Sequence, residues 1–165
     1  MIIYQEKIHT YLFLKIFLGA SLIIFILIAG SRFTAKPVHL NHVAEIALWI
    51  LLIMNAIALF SFNKLEITVT EEKINFGFGK FKKSFYLVNV QSVEIGKYKF
   101  GNYWGYGIRM GSDGAVGYVP RAGSGLKIKF KNDPRSYFIS TAKPEELKNI
   151  ITNKSELARI RHESI

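Results

Sequence analysis

The sequence predicts two apolar helices followed by a mainly β domain, with an amphipathic helix at its C-terminal end. Three observations carry this. Residues 11–30 and 43–62 are two nearly unbroken apolar runs, each about the ~20 residues that span a hydrocarbon core. From Lys64 the apolar residues recur at every second position, the period of a half-buried strand. In PEELKNII, from Pro144, they recur at helical spacing. The chain of 165 residues therefore divides at residue 63, into 1–63 and 64–165.

The first run, YLFLKIFLGASLIIFILIAG, holds one charge, Lys15; the second, VAEIALWILLIMNAIALFSF, holds one, Glu45. Runs this uniform predict a transmembrane hairpin, and the first is too long for a cleaved signal peptide. Lys7 and Lys15 precede the pair and Lys64, Lys73 and Lys80 follow it, while the connecting loop has only Arg32 and Lys36. By the positive-inside rule both termini are cytoplasmic, which predicts an integral protein of a bacterial cytoplasmic membrane. Lys15 and Glu45 fall at opposite depths and are not expected to pair. Asn55 is level with Gly19 and Ser21, which predicts a helix–helix interface there, with a contact between copies as the rival reading. His39, His42 and Glu45 have the spacing of a metal-binding turn, but no second cluster supports one. No metal or cofactor is expected.

In the domain, KLEITVT places Leu65, Ile67 and Val69 on one face, and KINFGF places Ile74, Phe76 and Phe78 on one face. KFKKSFYL continues the pattern less cleanly. NVQSVEI changes phase between Val90 and Val93, which predicts a turn near 89–92. GLKIKFK alternates Leu126, Ile128 and Phe130 with Lys127, Lys129 and Lys131, and RSYFIST is the last strand. Pro144 suits a first helical position, and Glu145 and Glu146 suit its positive end. Leu147, Ile150 and Ile151 share its apolar face.

Residues 98–125, YKFGNYWGYGIRMGSDGAVGYVPRAGSG, hold eight of the thirteen glycines and six aromatics. Trp104, Tyr106, Ile108 and Met110 alternate with Gly105, Gly107, Arg109 and Gly111, which predicts a strand with one large face and one bare face. Ser112-Asp113-Gly114 is a hairpin turn, and Ala115–Val119 the returning strand. No helix follows the glycines, and their spacing misses the dinucleotide fingerprint. Two readings of the bare face stay open: aromatic rings from neighbours pack over it, or a ligand or peptide lies across it. Arg109 either stacks on Trp104 or Tyr118, pairs with an acid, or binds a ligand.

Net charge is +10, and 18 of the 22 Lys and Arg follow residue 63. The absence of cysteine excludes disulfides and thiolate chemistry. Lys80, Lys82 and Lys83 form one basic spot and Lys127, Lys129 and Lys131 another; they are either solvated faces or a surface for anionic lipid head groups. No nucleic-acid motif is present. The histidines all lie outside the β region, and no nucleophile–base pattern occurs, so no enzyme is expected.

The segments KFKKSFYLVNVQSVEI, NYWGYGIRM and YFISTAKPEELKNII resemble bacterial pleckstrin-homology-like domains, which often follow a pair of transmembrane helices. The resemblance covers about residues 64–153. Its most specific pieces are Trp104-Gly105-Tyr106-Gly107-Ile108-Arg109 and Ser140-Thr141-x-x-Pro144-Glu145-Glu146-Leu147. It implies a barrel or sandwich of about seven antiparallel strands in two orthogonal sheets, with the helix from Pro144 closing one end. It also implies binding or scaffolding rather than chemistry. Phosphoinositide-binding members carry Lys and Arg around their first turn; here that turn, Thr70-Glu71-Glu72-Lys73, is acidic. The function expected is a membrane-anchored scaffold presenting the domain at the cytoplasmic face to a protein partner or a second copy. The alternative is a reader of anionic lipids through the six lysines.

Overall fold

The structure, a computed structural model, describes residues 1–10, 12–31 and 41–163, with side chains for all of these except 12–14, 59–61 and 162–163. Nine strands and four α-helices occur among them. In chain order they are β1 (Ile2–His9), α1 (Leu12–Gly30), α2 (His42–Ser61), β2 (Lys64–Thr70), β3 (Lys73–Phe78) and β4 (Phe81–Tyr86). Then come β5 (Val90–Lys97), α3 (Phe100–Tyr103), β6 (Gly107–Met110), β7 (Val116–Val119), β8 (Ser124–Phe130), β9 (Ser136–Ser140) and α4 (Pro144–Glu163). A four-stranded sheet runs β1-β2-β3-β4, and a five-stranded sheet runs β5-β8-β9-β7-β6.

The alternation read from Lys64 onward sets the inner faces. Leu65, Ile67, Val69, Ile74, Phe76 and Phe78 are fully buried. They meet Leu126, Ile128, Phe130, Tyr137 and Ile139 of the second sheet in one core. Rings join the layers: Phe85 stacks on Phe130 at 4.0 Å between centroids, and Phe76 meets Tyr118 edge-on at 5.0 Å. The phase change after Val90 is a bulge in β5, where the register against β8 shifts between Val90 and Ser92. Helix α4 starts at Pro144 with Glu145 and Glu146 in its first turn. It buries Leu147 and Ile151 completely, and Ile150 packs partly against the same core.

The sequence-based fold requires correction. Among the described residues no helix is long and apolar enough to cross a membrane. This overturns the transmembrane hairpin, the integral-membrane placement and the orientation drawn from flanking lysines. The way the helices attach is also different. Strand β1 pairs with β2 from Ile2↔Thr70 to His9↔Lys64, so the helix pair is inserted between two neighbouring strands of one sheet. The pairing was expected to be antiparallel throughout, yet β7 and β9 run parallel.

Within the helix pair, the Asn55 side-chain amide donates to Ser21 Oγ at 2.5 Å, and Ser21 Oγ donates to the Leu18 carbonyl at 2.9 Å. Gly19 is half-buried beside them, and a Cβ there would meet nothing within 4 Å. Outside the seam, Ile23, Ile26 and Leu27 of α1 and Ile46, Ile50, Ile53 and Met54 of α2 are exposed.

One rim of the core is closed by a charged cap. The buried Tyr137 hydroxyl donates to Asp133 Oδ2 at 2.7 Å, and the Arg135 amide and Nε donate to Asp133 Oδ1 at 3.0 and 3.3 Å. Tyr137 first, then Arg135, hold the Asp133 carboxyl down at about 2. A carboxyl lowered on folding stabilises the fold above its ordinary value of 3.8, and that contribution is lost as pH falls through about 2. The Asp133→Asn variant is therefore expected to show a flatter loss of melting temperature across this acid window. An acid limb identical to the parent's would show that Asp133 carries none of it.

Candidate functional site

The glycine-rich segment is where the fold leaves space. After α3 the chain turns at Trp104, whose amide donates to the Phe100 carbonyl at 2.7 Å. Trp104 has φ 52°, the one positive-φ residue that is not glycine among the described residues. Left-handed backbone costs a bulky residue roughly 1–2 kcal/mol, and Trp104 recovers nothing by burial, being 76 % exposed. Such strain is a pointer to function.

Beyond Trp104 the predicted long strand does not form; β6 covers only Gly107–Met110. The alternation of large and bare faces breaks at Gly107, whose φ of 95° twists the chain. Tyr106 packs into an outer cluster with Tyr98, Tyr103, Val119 and Phe138, while Ile108 packs against the inner core. The remaining glycines answer the question of their abundance. A Cβ on Gly117 would sit 2.7 Å from the Tyr103 ring, one on Gly125 would sit 2.8 Å from the Phe138 ring, and one on Gly107 would sit 3.5 Å from Phe62. On the bare face itself, rings approach Gly107 and Gly111, through Phe62 and Tyr103, while Gly105 lies beside the Arg109 guanidinium.

The turn after β6 forms where Ser112-Asp113-Gly114 places it. The Gly114 amide donates to the Gly111 carbonyl at 3.0 Å and the Gly111 amide to the Ala115 carbonyl at 2.7 Å. This three-residue loop with a bulge fixes the phase of the ladder. Arg109 pairs with Gly117, so its main-chain groups face β7, and those of Ile108 and Met110 point away from the sheet. Among the described residues no strand pairs with that outer edge of β6.

A cleft of about 420 Å³ opens between this edge and the base of the helix pair. Leu18, Ala58 and Phe62 form one wall, and Gly105 to Arg109 form the other. Phe62 is anchored by rings behind it, stacking on Phe81 at 5.9 Å and tilting against Phe78 at 5.4 Å. Thr10 also lines the cleft, but its hydroxyl is engaged, donating to the Phe62 carbonyl. Arg109 is the cleft's one charged side chain. Its guanidinium lies over Gly105, with Nε donating to the Tyr106 carbonyl at 3.0 Å. Among the described residues no carboxylate forms an ion pair with it. The stacking on Trp104 or Tyr118 and the acid pairing anticipated for Arg109 are not what this geometry shows. Sequence reasoning singled out Arg109 but missed Phe62, which reads as the end of an apolar run.

The six lysines are divided. Lys80, Lys82 and Lys83 belong to the β3–β4 hairpin of the first sheet, and Lys127, Lys129 and Lys131 to β8 and its end in the second. Two are engaged locally: Lys82 pairs with Glu66 at 2.7 Å and Lys127 with Asp113 at 2.7 Å. The Lys127 contact, first of all, lowers the Asp113 carboxyl from its ordinary value. Beside Lys127 a groove of about 540 Å³ runs over the second sheet, bordered by Glu94, Lys97, Lys99, Asn102 and Asp113. Of the histidine–glutamate turn near the helix start, His39 lies outside the described residues, and among those described no three metal-binding side chains come together. Gly19, Ser21 and Asn55 lie within the helix pair, away from the cleft lining apart from their neighbour Leu18. Comparison with family models, with curated proteins and with solved structures finds no match for this chain.

Proposed function

We propose that this chain is a non-enzymatic binding module that offers the cleft beside β6 to a protein partner. The cleft itself carries the reading: its walls are apolar, its polar side chains do not converge on a reacting centre, and a strained, exposed Trp104 stands next to it. Tryptophan, arginine and methionine are the residues enriched at protein interfaces, and Trp104, Arg109 and Met110 are all exposed here. The resemblance over residues 64–153 supports the same reading, since it implies binding rather than chemistry. The test is selection of short random peptides displayed against the immobilised full chain in mild detergent. Enrichment of peptides that compete with one another for one site is expected. Failure of any peptide to enrich above the bare support would overturn the reading.

A further inference from the structure

We infer that the partner enters as an extended acidic segment that adds a strand to the outer edge of β6. This rests on the binding role proposed above and specifies its chemistry. Main-chain groups set the mode. The amides and carbonyls of Ile108 and Met110 face outward in the ladder phase fixed by the Gly111–Ala115 hydrogen bond. An edge with unpaired groups is a template for another strand, and natural edges are usually blunted by proline, charge or cover. Among the described residues no proline and no strand covers Ile108 and Met110; past them the Ser112 amide is taken by the Asn102 carbonyl at 3.0 Å, and the nearby charge, Arg109, folds back over Gly105. Side chains of the added strand alternate between two faces. One set would enter the cleft, lined by Phe62, Leu18 and Arg109, and the other would face away from it.

Charge selects the occupant. Arg109 is the cleft's one charged side chain, and the whole chain carries +10. A second copy would bring the same excess to the contact, whereas an acidic segment is drawn to it. An arginine with its terminal nitrogens directed at a carboxylate gives a two-point contact of defined orientation. The occupant is therefore a segment alternating apolar and polar residues, with an Asp or Glu opposite Arg109. This is recognition by strand addition, in which main-chain bonds hold the peptide and pockets choose its side chains.

The test uses peptides selected on the full chain, resynthesised and titrated by fluorescence anisotropy. Met110→Pro removes an outward donor while leaving the β6–β7 bonds in place, so binding is expected to weaken about tenfold, the worth of a main-chain hydrogen bond. Arg109→Ala is expected to weaken binding and flatten its salt dependence. Methylating alternate amides of the peptide, which leaves the protein untouched, is expected to abolish binding. Unchanged melting temperatures establish that the variants fold. Selected peptides that bind Met110→Pro and the methylated form as well as the parent would overturn strand addition while leaving the binding role intact. An absence of any selected peptide would instead overturn the binding role beneath it.

Discussion

A fragment beginning at Lys64 is expected not to fold. The full chain should melt in one cooperative transition, and the fragment 64–165 should show none by near-ultraviolet circular dichroism. The reason is β1. It covers β2 along its length and buries Tyr4 and Ile8 in the main core. Burying two such side chains contributes roughly 1.5–3 kcal/mol each. Its Glu6 ties the strand to the far end of the domain: one oxygen accepts from Thr141 Oγ1 at 2.6 Å and from the Tyr4 hydroxyl at 2.8 Å, and the other accepts from the Ala142 amide at 2.8 Å. Hydrogen bonds to a charged group contribute about 1.5–3 kcal/mol each. The sum is of the order of the whole net stability of a domain, about 5–15 kcal/mol. Point variants grade the same effect. Ile8→Ala should cost about 2–4 kcal/mol by the cavity it leaves, and Glu6→Gln about 1–2 kcal/mol, since it keeps the shape and loses the charge. A cooperative melt from the fragment would show β1 to be dispensable.

The strand was hidden in the sequence for a physical reason. Tyr4 and Ile8 lie on the inner face, but Glu6 sits between them on that same face, at a rim where Thr141 and Ala142 receive it. A carboxylate in the middle of an apolar stripe breaks the alternation that announces a strand. Without β1, the helices read as a membrane hairpin before a domain rather than an insertion in a sheet. Where one face was buried without interruption, reading was straightforward: β2, β3 and β8 alternate as their residues dictate, and α4 buries the leucine and isoleucine that share one of its faces. The parallel pairing of β7 with β9 has no local signature, because side-chain period is the same in either direction. The site was half legible. Glycines flagged where rings lie over backbone, but the break at Gly107 depends on a single twisted residue, and the cleft depends on Phe62 arriving from the helix pair.

That helix pair governs the second large effect. In detergent-free buffer the full chain is expected to run as large assemblies, and addition of a mild non-ionic detergent should return it to a small species by light scattering. Each helix is half-buried along the seam around Ser21 and Asn55 and apolar on its remaining faces. Val43 is 77 % exposed, Leu27 66 % and Ile46 62 %. Contiguous exposed apolar surface beyond a few hundred Å² calls for a cover, and burial of such surface contributes about 25 cal/mol per Å². The +10 charge opposes assembly, but it resides mainly in the β domain, so it does not screen the helices. Salt separates the causes. Assembly through apolar faces should persist or strengthen as salt rises, because screening weakens repulsion between basic domains. Assembly through the lysines and an acidic contaminant would fall with salt instead. Placing polar residues at Ile23, Leu27, Ile46 and Ile53 together should give a small species without detergent, since all four lie outside the seam. The Asn55 amide bond to Ser21 would still hold the two helices to each other. A parent chain that is already monodisperse in plain buffer at every salt concentration would show these faces to be covered from within.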